Sequence, residues 1–396
     1  MKLNDTLSQV TESFTINLAD RVRQLVAQGV PVIGLQTGDP DFNTPKPIMD
    51  AAYDAMLAGK THYANSRGIP ELRNALADYN AKRTARRFDP NKEMIITHGG
   101  THAYHCALAA IMNVDAEVLV PAASWQTHAN MVRVLRGNPV QVPALPENGF
   151  YPTLDEWEKH ITPNSVALVI NTPNNPTGAI ATKDYLETLL ALAKKHHLYL
   201  ISDEVYDHLL YDGVHFTSAA SLEGGENNVI IVNSFSKTYA MTGWRLGYLC
   251  APEQVINNAL KESQHSITNV AEFVQIGGYV GVTRPSVAET VHEMANAYAH
   301  RRQLVLDTYK ILQPKHLKLI KPMGAFYFFL DVRDLNIPSK EIAERILTEA
   351  HVACVPGLAY GESGEGFLRI TIAADVEQVL EGFKAIVDWV ENRATV

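Results

Sequence analysis

Cysteine is scarce: Cys106, Cys250 and Cys354 are the only three in 396 residues, far apart and without a CxxC pair. That spacing argues against a disulfide framework and for free thiols in a reducing compartment, so a cytoplasmic location is expected. No uninterrupted apolar run reaches membrane-spanning length, and the opening MKLNDTLSQVTESFTINLAD lacks the apolar stretch of a signal peptide. Long runs of one charge are also missing. Lysine and arginine total 34 against 43 acidic residues, a formal charge of −9, which argues against nucleic acid and anionic membranes as partners. There are no internal repeats and no low-complexity tract. No G-x-G-x-x-G follows a strand pattern; GESGEG at 361–366 has the wrong spacing for a dinucleotide site and reads as a flexible loop.

What remains is a chain that is 46% hydrophobic and long enough to bury a large core in two domains. Short β-branched runs alternate with helical stretches between about residues 90 and 235. EMIIT (93–97), EVLVP (117–121), SVALVIN (165–171), LYLIS (198–202) and NVIIVN (228–233) read as strands. Lys183 to His196, with Leu186, Leu189, Leu190 and Ala193 at helical spacing, reads as a helix between two of them. The pattern predicts an α/β fold whose mostly parallel central sheet lies between helices. Beyond about residue 290 comes a long charged helix, a strand at MGAFYFFLD, a helix at SKEIAERILTEA and a strand at FLRITIA, the texture of a smaller α+β unit. The first 45 residues carry one clear helix and are expected to pack with that unit. The expected division is 46–290 for the large domain, with 1–45 and 291–396 forming the small one.

In open parallel sheets, ligands bind beyond the carboxyl ends of the strands. EMIIT is followed by HGGTHAYH, whose Gly100 and Thr101 open a helix suited to an anion. After EVLVP comes AASWQTH, with Trp125 and His128; after SVALVIN, TPNNPTG with Asn175. LYLIS leads to DEVYD with Asp203 and Tyr206, and NVIIVN leads to SFSK with Ser234, Ser236 and Lys237; Arg245 stands eight residues after that lysine. Singly, each has an ordinary reading: a helix entry, a core tryptophan, a turn asparagine, a helix cap, an outward lysine. Together they match the needs of pyridoxal 5′-phosphate. Its aldehyde takes an amine (Lys237), its pyridine nitrogen a carboxylate (Asp203), and its phosphate the donors of Gly100, Thr101, Ser234, Ser236 and Arg245. Trp125 would stack on the ring, with Tyr206 and Asn175 donating to the phenolic oxygen. An enclosed lysine loses its proton unless paired, and a neutral amine is a nucleophile.

GDPDFNTP, NTPNNPTG, SDEVYD, SFSKTYAMTGWRLGY and FLRITIA together resemble the class I/II aminotransferases of pyridoxal phosphate fold type I, in the aspartate aminotransferase branch, from about residue 15 to the C-terminus. The resemblance implies that Lys237 is both the Schiff-base lysine and the base that moves the substrate's α-proton. It pairs Asp203 with the pyridine nitrogen, supported by His128. Arg369 would grip the substrate α-carboxylate bidentately, with the Gly38 backbone N–H beside it and Asn175 and Trp125 also lining the substrate. Tyr63 in THYANSRG would reach the phosphate of a neighbouring subunit, which implies a homodimer. The implied reaction is ping-pong transfer of an amino group from an L-amino acid to a 2-oxo acid.

Two features leave the substrate open. Thr101 stands where members selective for acidic substrates often carry lysine, and the nearby His102 and His105 are unusual there; as a metal site the pair lacks a third ligand. The same fold also hosts oxidase, β-lyase and cyclopropane-forming reactions. A serine acyl-transfer hydrolase using Ser234 and Lys237 in S-x-x-K is a further alternative, but its S-D-N and K-T-G companions are missing.

Overall fold

The computed structural model describes residues 4–393. Thirteen strands follow in chain order: β1 (Ile33–Gly34), β2 (Met94–Thr97), β3 (Glu117–Pro121), β4 (Asn138–Val142), β5 (Ser165–Asn171), β6 (Tyr199–Asp203), β7 (Val229–Ser234), β8 (Gly247–Cys250), β9 (Lys318–Ile320), β10 (Tyr327–Asp331), β11 (Val352–Ala353), β12 (Val355–Pro356) and β13 (Phe367–Thr371). The α-helices up to the middle of the chain are α1 (Phe14–Ala27), α2 (Lys46–Leu57), α3 (Pro70–Thr84), α4 (Gly99–Ile111), α5 (Thr127–Val134), α6 (Leu154–His160) and α7 (Lys183–Lys195). They continue with α8 (Phe235–Thr238), α9 (Glu253–Ser266), α10 (Glu272–Thr283), α11 (Pro285–Leu312), α12 (Ser339–Glu349) and α13 (Val376–Arg393). Among the described residues no helix is long and apolar enough to cross a membrane.

Seven strands form the main sheet in the order β2-β8-β7-β6-β5-β3-β4. β7 and the last five residues of β5 are buried, because helices cover both faces and leave no polar side to alternate with. α7 shows how the covering layer is specified. The Thr182 side chain accepts the Tyr185 N–H to cap its start, and Leu186, Leu189, Leu190 and Ala193 form its buried stripe. The expected parallel sheet holds with one addition: β8, read only as part of a longer motif, lies antiparallel to both β2 and β7. β4 also escaped the pattern; it is a half-exposed edge strand containing Pro139, which an edge tolerates.

A second sheet, β12-β13-β10-β9, is antiparallel, and β1 pairs in parallel with β11 through Ile33 and Val352. The two sheets have different cores. Leu168, Leu200 and Ile231 pack on one side of the large sheet and Val169, Ile201 and Val232 on the other, whereas Phe328, Leu330, Ile370 and Phe383 fill the small unit. α11 spans both, with Val287, Val291 and Met294 in the first core and Tyr298 and Val305 in the second. The expected division at residue 290 falls inside this helix.

The reading of GESGEG as a flexible loop is corrected. A Cβ on Gly361 would lie 2.3 Å from the Ala122 carbonyl oxygen, and one on Gly364 2.2 Å from that of Gly357. The glycines serve close backbone packing.

Candidate functional site

A cavity of about 280 Å³ opens beyond the carboxyl ends of β5, β6 and β7, closed on its other side by the small sheet. It is lined by Gly38, Gly100, Thr101, Trp125, Asn175, Asp203, Tyr206, Ser234, Ser236, Lys237, Arg245 and Arg369. Every site residue expected from the sequence is therefore brought to one place except Tyr63, which lies outside this chain's own cavity and is 87% exposed.

Lys237 sits on the one-turn helix α8 at the end of β7, half-buried, with Nζ donating to the Gly38 carbonyl at 2.5 Å. Burial pushes its pKa down to about 8; the positive Arg369 and Arg245 act in the same direction, against Asp39 and Asp203. A neutral amine is thus within reach near neutral pH.

Asp203 is the last residue of β6, one place further into the strand than the sequence pattern suggested, because it pairs in register with Asn171. Its Oδ2 lies 2.9 Å from Nε2 of the fully buried His128. Trp125 and Tyr104 both stand edge-on to that imidazole, with ring centroids at 5.5 and 5.1 Å. Asp203 Oδ1 accepts the Val205 N–H at 3.3 Å, so both oxygens are held while the side chain lines the cavity.

The start of α4 faces the carboxyl end of β7. Gly99 has φ +75°, and a Cβ there would fall 2.7 Å from Arg245 Nη2, so glycine lets the guanidinium lie against the turn. Gly247 is equally constrained, since its Cβ would meet Gly99 C at 2.5 Å and Gly100 N at 2.8 Å. Ser234 Oγ donates to Ser236 Oγ at 2.9 Å and accepts the Ser236 N–H at 3.0 Å. Helix start, two hydroxyls and an arginine form an anion cradle. Among the described residues no hydrogen bond joins Ser234 to Lys237, so the S-x-x-K nucleophile arrangement is not assembled.

The small sheet supplies the other wall. Arg369, buried in β13, donates from Nη1 to Asn175 Oδ1 at 3.2 Å and from Nη2 to the Gln36 carbonyl, over the Tyr327 ring at 4.3 Å; Nε is buried without a partner. Tyr327 in β10 joins its hydroxyl to that of Tyr206 at 2.9 Å. Burial raises the pKa of both phenols, so both stay protonated. A Cβ on Gly38 would lie 2.3 Å from the Tyr327 hydroxyl, which explains the glycine in GDPDF.

Sequence reasoning missed Tyr327, Asn171, Thr242, Thr15 and Val205 of the cavity wall, and Gly247 behind it. Tyr327 lies in FYFFL, where an aromatic run reads as core. Asn171 had a usable signal: a polar residue closing the apolar run SVALVI.

A family model described as aminotransferase class I and II matches residues 30–386. The chain is 41% identical over 382 residues to the aromatic-amino-acid aminotransferase 2 of Thermococcus litoralis, covering 96% of each. It is 40% identical over 382 residues to the aspartate aminotransferase of Pyrococcus abyssi, again covering 96% of each. Among solved structures, the aspartate aminotransferase from Thermus thermophilus with maleate superposes with a TM-score of 0.92 at 36% identity, over 98% of this chain and 99% of that one. The aromatic aminotransferase from Pyrococcus horikoshii gives 0.89 at 38% identity, over 96% of this chain and 100% of the other.

Proposed function

The chain belongs to the class I and II aminotransferases and transfers amino groups between amino acids and 2-oxo acids, and from that premise we infer that it does so with pyridoxal 5′-phosphate held in the cleft just described. The observation that carries this reading is the convergence of a lysine of pKa about 8, a carboxylate fixed by a buried histidine and a glycine-built anion cradle around one cavity.

The residues fit the group. Gly100, Thr101, Ser234, Ser236 and Arg245 would hold its phosphate, Asp203 its pyridine nitrogen, Trp125 the face of its ring, and Asn175 and Tyr206 its phenolic oxygen. Bound there, it supplies an aldehyde that holds the substrate nitrogen covalently and a ring that takes up the electron pair left at Cα. The chain does the rest. Arg369 grips the α-carboxylate, its guanidinium already oriented by Asn175, Gln36 and the Tyr327 ring, with the Gly38 backbone alongside. Lys237 Nζ, which lines the cavity, would take the Cα proton and later return one. The His128 contact keeps Asp203 in place, and the closed aromatic wall of Tyr206 and Tyr327 limits water.

Two further parts of the reading concern assembly and location. The exposed side chains of Met49, Tyr53, Met56 and Leu57 on α2, with Tyr63 beyond it, support a homodimer in which Tyr63 reaches the partner's phosphate site. Three buried free thiols support the cytoplasm. The separate cores of the two sheets support a large domain over 46–290 and a small one built from 1–45 and 291–396, with α11 running between them.

The test is the absorption spectrum of the purified protein with pyridoxal phosphate, before and after aspartate, arginine, tyrosine and alanine are added. A yellow band that borohydride discharges onto Lys237, and that converts with one group of amino acids, is the expected result. A colourless protein even in excess cofactor would sink the reading. Oxygen uptake in place of amino transfer would keep the cofactor and contradict the reaction.

A further inference from the structure

The motif HGGTHAYH leaves three imidazoles that amino transfer does not use. His98, His102 and His105 line one face of the first turns of α4: His98 and His102 meet edge to face at 6.2 Å, and His102 stacks on His105 at 6.1 Å. His105 Nε2 pairs with Glu262 of α9 at 3.0 Å. His102 Nδ1 accepts the backbone N–H of His98 at 3.2 Å. That bond assigns the His102 proton to Nε2, which lies 3.4 Å from Ser266 Oγ of α9 and 3.3 Å from Cys106 Sγ.

The first N–H groups of a helix have no partner within it, and a side chain one turn on that reaches back to one of them closes the helix start. This start has an unusual need for closure. Gly99, at φ +75°, must lack a side chain so that Arg245 can approach, a Cβ on Gly100 would lie 3.3 Å from Val205 Cγ1, and glycine pairs are the most mobile backbone available. Stiffness has to come from outside the turn.

We propose that His102 is a positioning residue for the anion cradle: by accepting the His98 N–H while bonding to α9, it holds the diglycine turn of α4 in place at the cleft. The proposal rests on the reading of that turn as the phosphate site. Burial, together with the neighbouring His105 and His98, pushes the His102 pKa down to about 4, against the pull of Glu262, so Nδ1 stays an acceptor at physiological pH.

The test titrates apo-protein with pyridoxal phosphate, read by tryptophan fluorescence, for the wild type, His102→Leu and His102→Gln. Glutamine keeps an acceptor of similar reach; leucine does not. Loss of one ordinary hydrogen bond predicts a Kd raised about fivefold in His102→Leu, with His102→Gln within about twofold of wild type. Exchange of the His98 amide hydrogen, followed without cofactor, should quicken in the leucine variant and not in the glutamine one. His98→Pro removes the donor at a φ of −74° that proline accepts, and should weaken binding alike even where leucine at 102 impairs folding. Equal affinity in wild type and His102→Leu overturns the proposal, as does equal weakening by leucine and glutamine, which would mean packing alone. Wild-type protein that binds no cofactor overturns the parent reading instead.

Discussion

The seven-stranded and four-stranded sheets reach the same cleft by different routes. The large sheet contributes from its strand ends: Asn171, Asp203 and Ser234 each close a buried apolar run, and Lys237 follows one turn later. The small sheet contributes from mid-strand and strand-start positions, Arg369 within FLRIT and Tyr327 at the head of YFFLD, where each polar head emerges from among core residues. A strand end can change its side chain without disturbing the core. A mid-strand position cannot, so its polar group must be held there, as the two terminal nitrogens of Arg369 are by Asn175 and Gln36, with the Tyr327 and Tyr360 rings against the guanidinium.

The contrast predicts different failures. The largest belongs to the strand-end lysine. Lys237→Ala should fold normally and lose at least about a thousandfold in kcat, since a general base alone contributes on that scale; single-turnover conversion of an amino acid measures it, and turnover at wild-type rate would break the assignment. Arg369→Lys keeps the charge and loses the planar fork, so kcat/KM for amino acids should fall about 10- to 100-fold, the worth of a charge-assisted hydrogen bond, with a measurable drop in thermal stability that Lys237→Ala does not share. Equal stability in the two variants would erase the distinction between strand end and strand interior.

Behind the large sheet, Gly247→Ala places a Cβ against Gly99 and Gly100. Overpacking of this kind costs about 1–3 kcal/mol and should appear as a lowered Tm together with weaker cofactor binding. The pH dependence of Lys237 sharpens the same point. Its folded pKa is depressed to about 8, so the neutral fraction rises with pH through that value. Borohydride-trapped attachment of pyridoxal phosphate to apo-protein should then quicken about tenfold between pH 7 and 9. A rate still rising only near pH 10 would mean that the amine is not desolvated. The smallest effect is expected for Tyr327→Phe, which leaves the ring under Arg369 and removes only the hydroxyl joined to Tyr206; kcat/KM should fall about fivefold with little change in Tm.

The same contrast explains what could be read in advance. Lys237, Asp203 and Ser234 were legible because a polar residue at or just past the end of an apolar run is a local departure from pattern, visible within ten residues, and Asn175 because the proline-rich turn TPNNPTG presents it after such a run. Tyr327 was not, because an aromatic in FYFFL satisfies the pattern of a buried strand. Gly247 was not, because the backbone that forbids its Cβ belongs to a segment nearly 150 residues earlier. Arg369 came only through resemblance: one arginine in FLRIT does not say what it faces.

By itself the sequence determined the alternation of strands and helices, the burial of the large sheet and the polar residues at its strand ends, since these depend on hydrophobic period and on neighbours along the chain. The tertiary structure alone decided that β8 runs against its neighbours, that Tyr327 meets Tyr206 across the cleft, and that His102 turns back to His98 while reaching α9. Those outcomes depend on register and on contacts between distant segments, and local periodicity encodes which face is buried without encoding what it will be buried against.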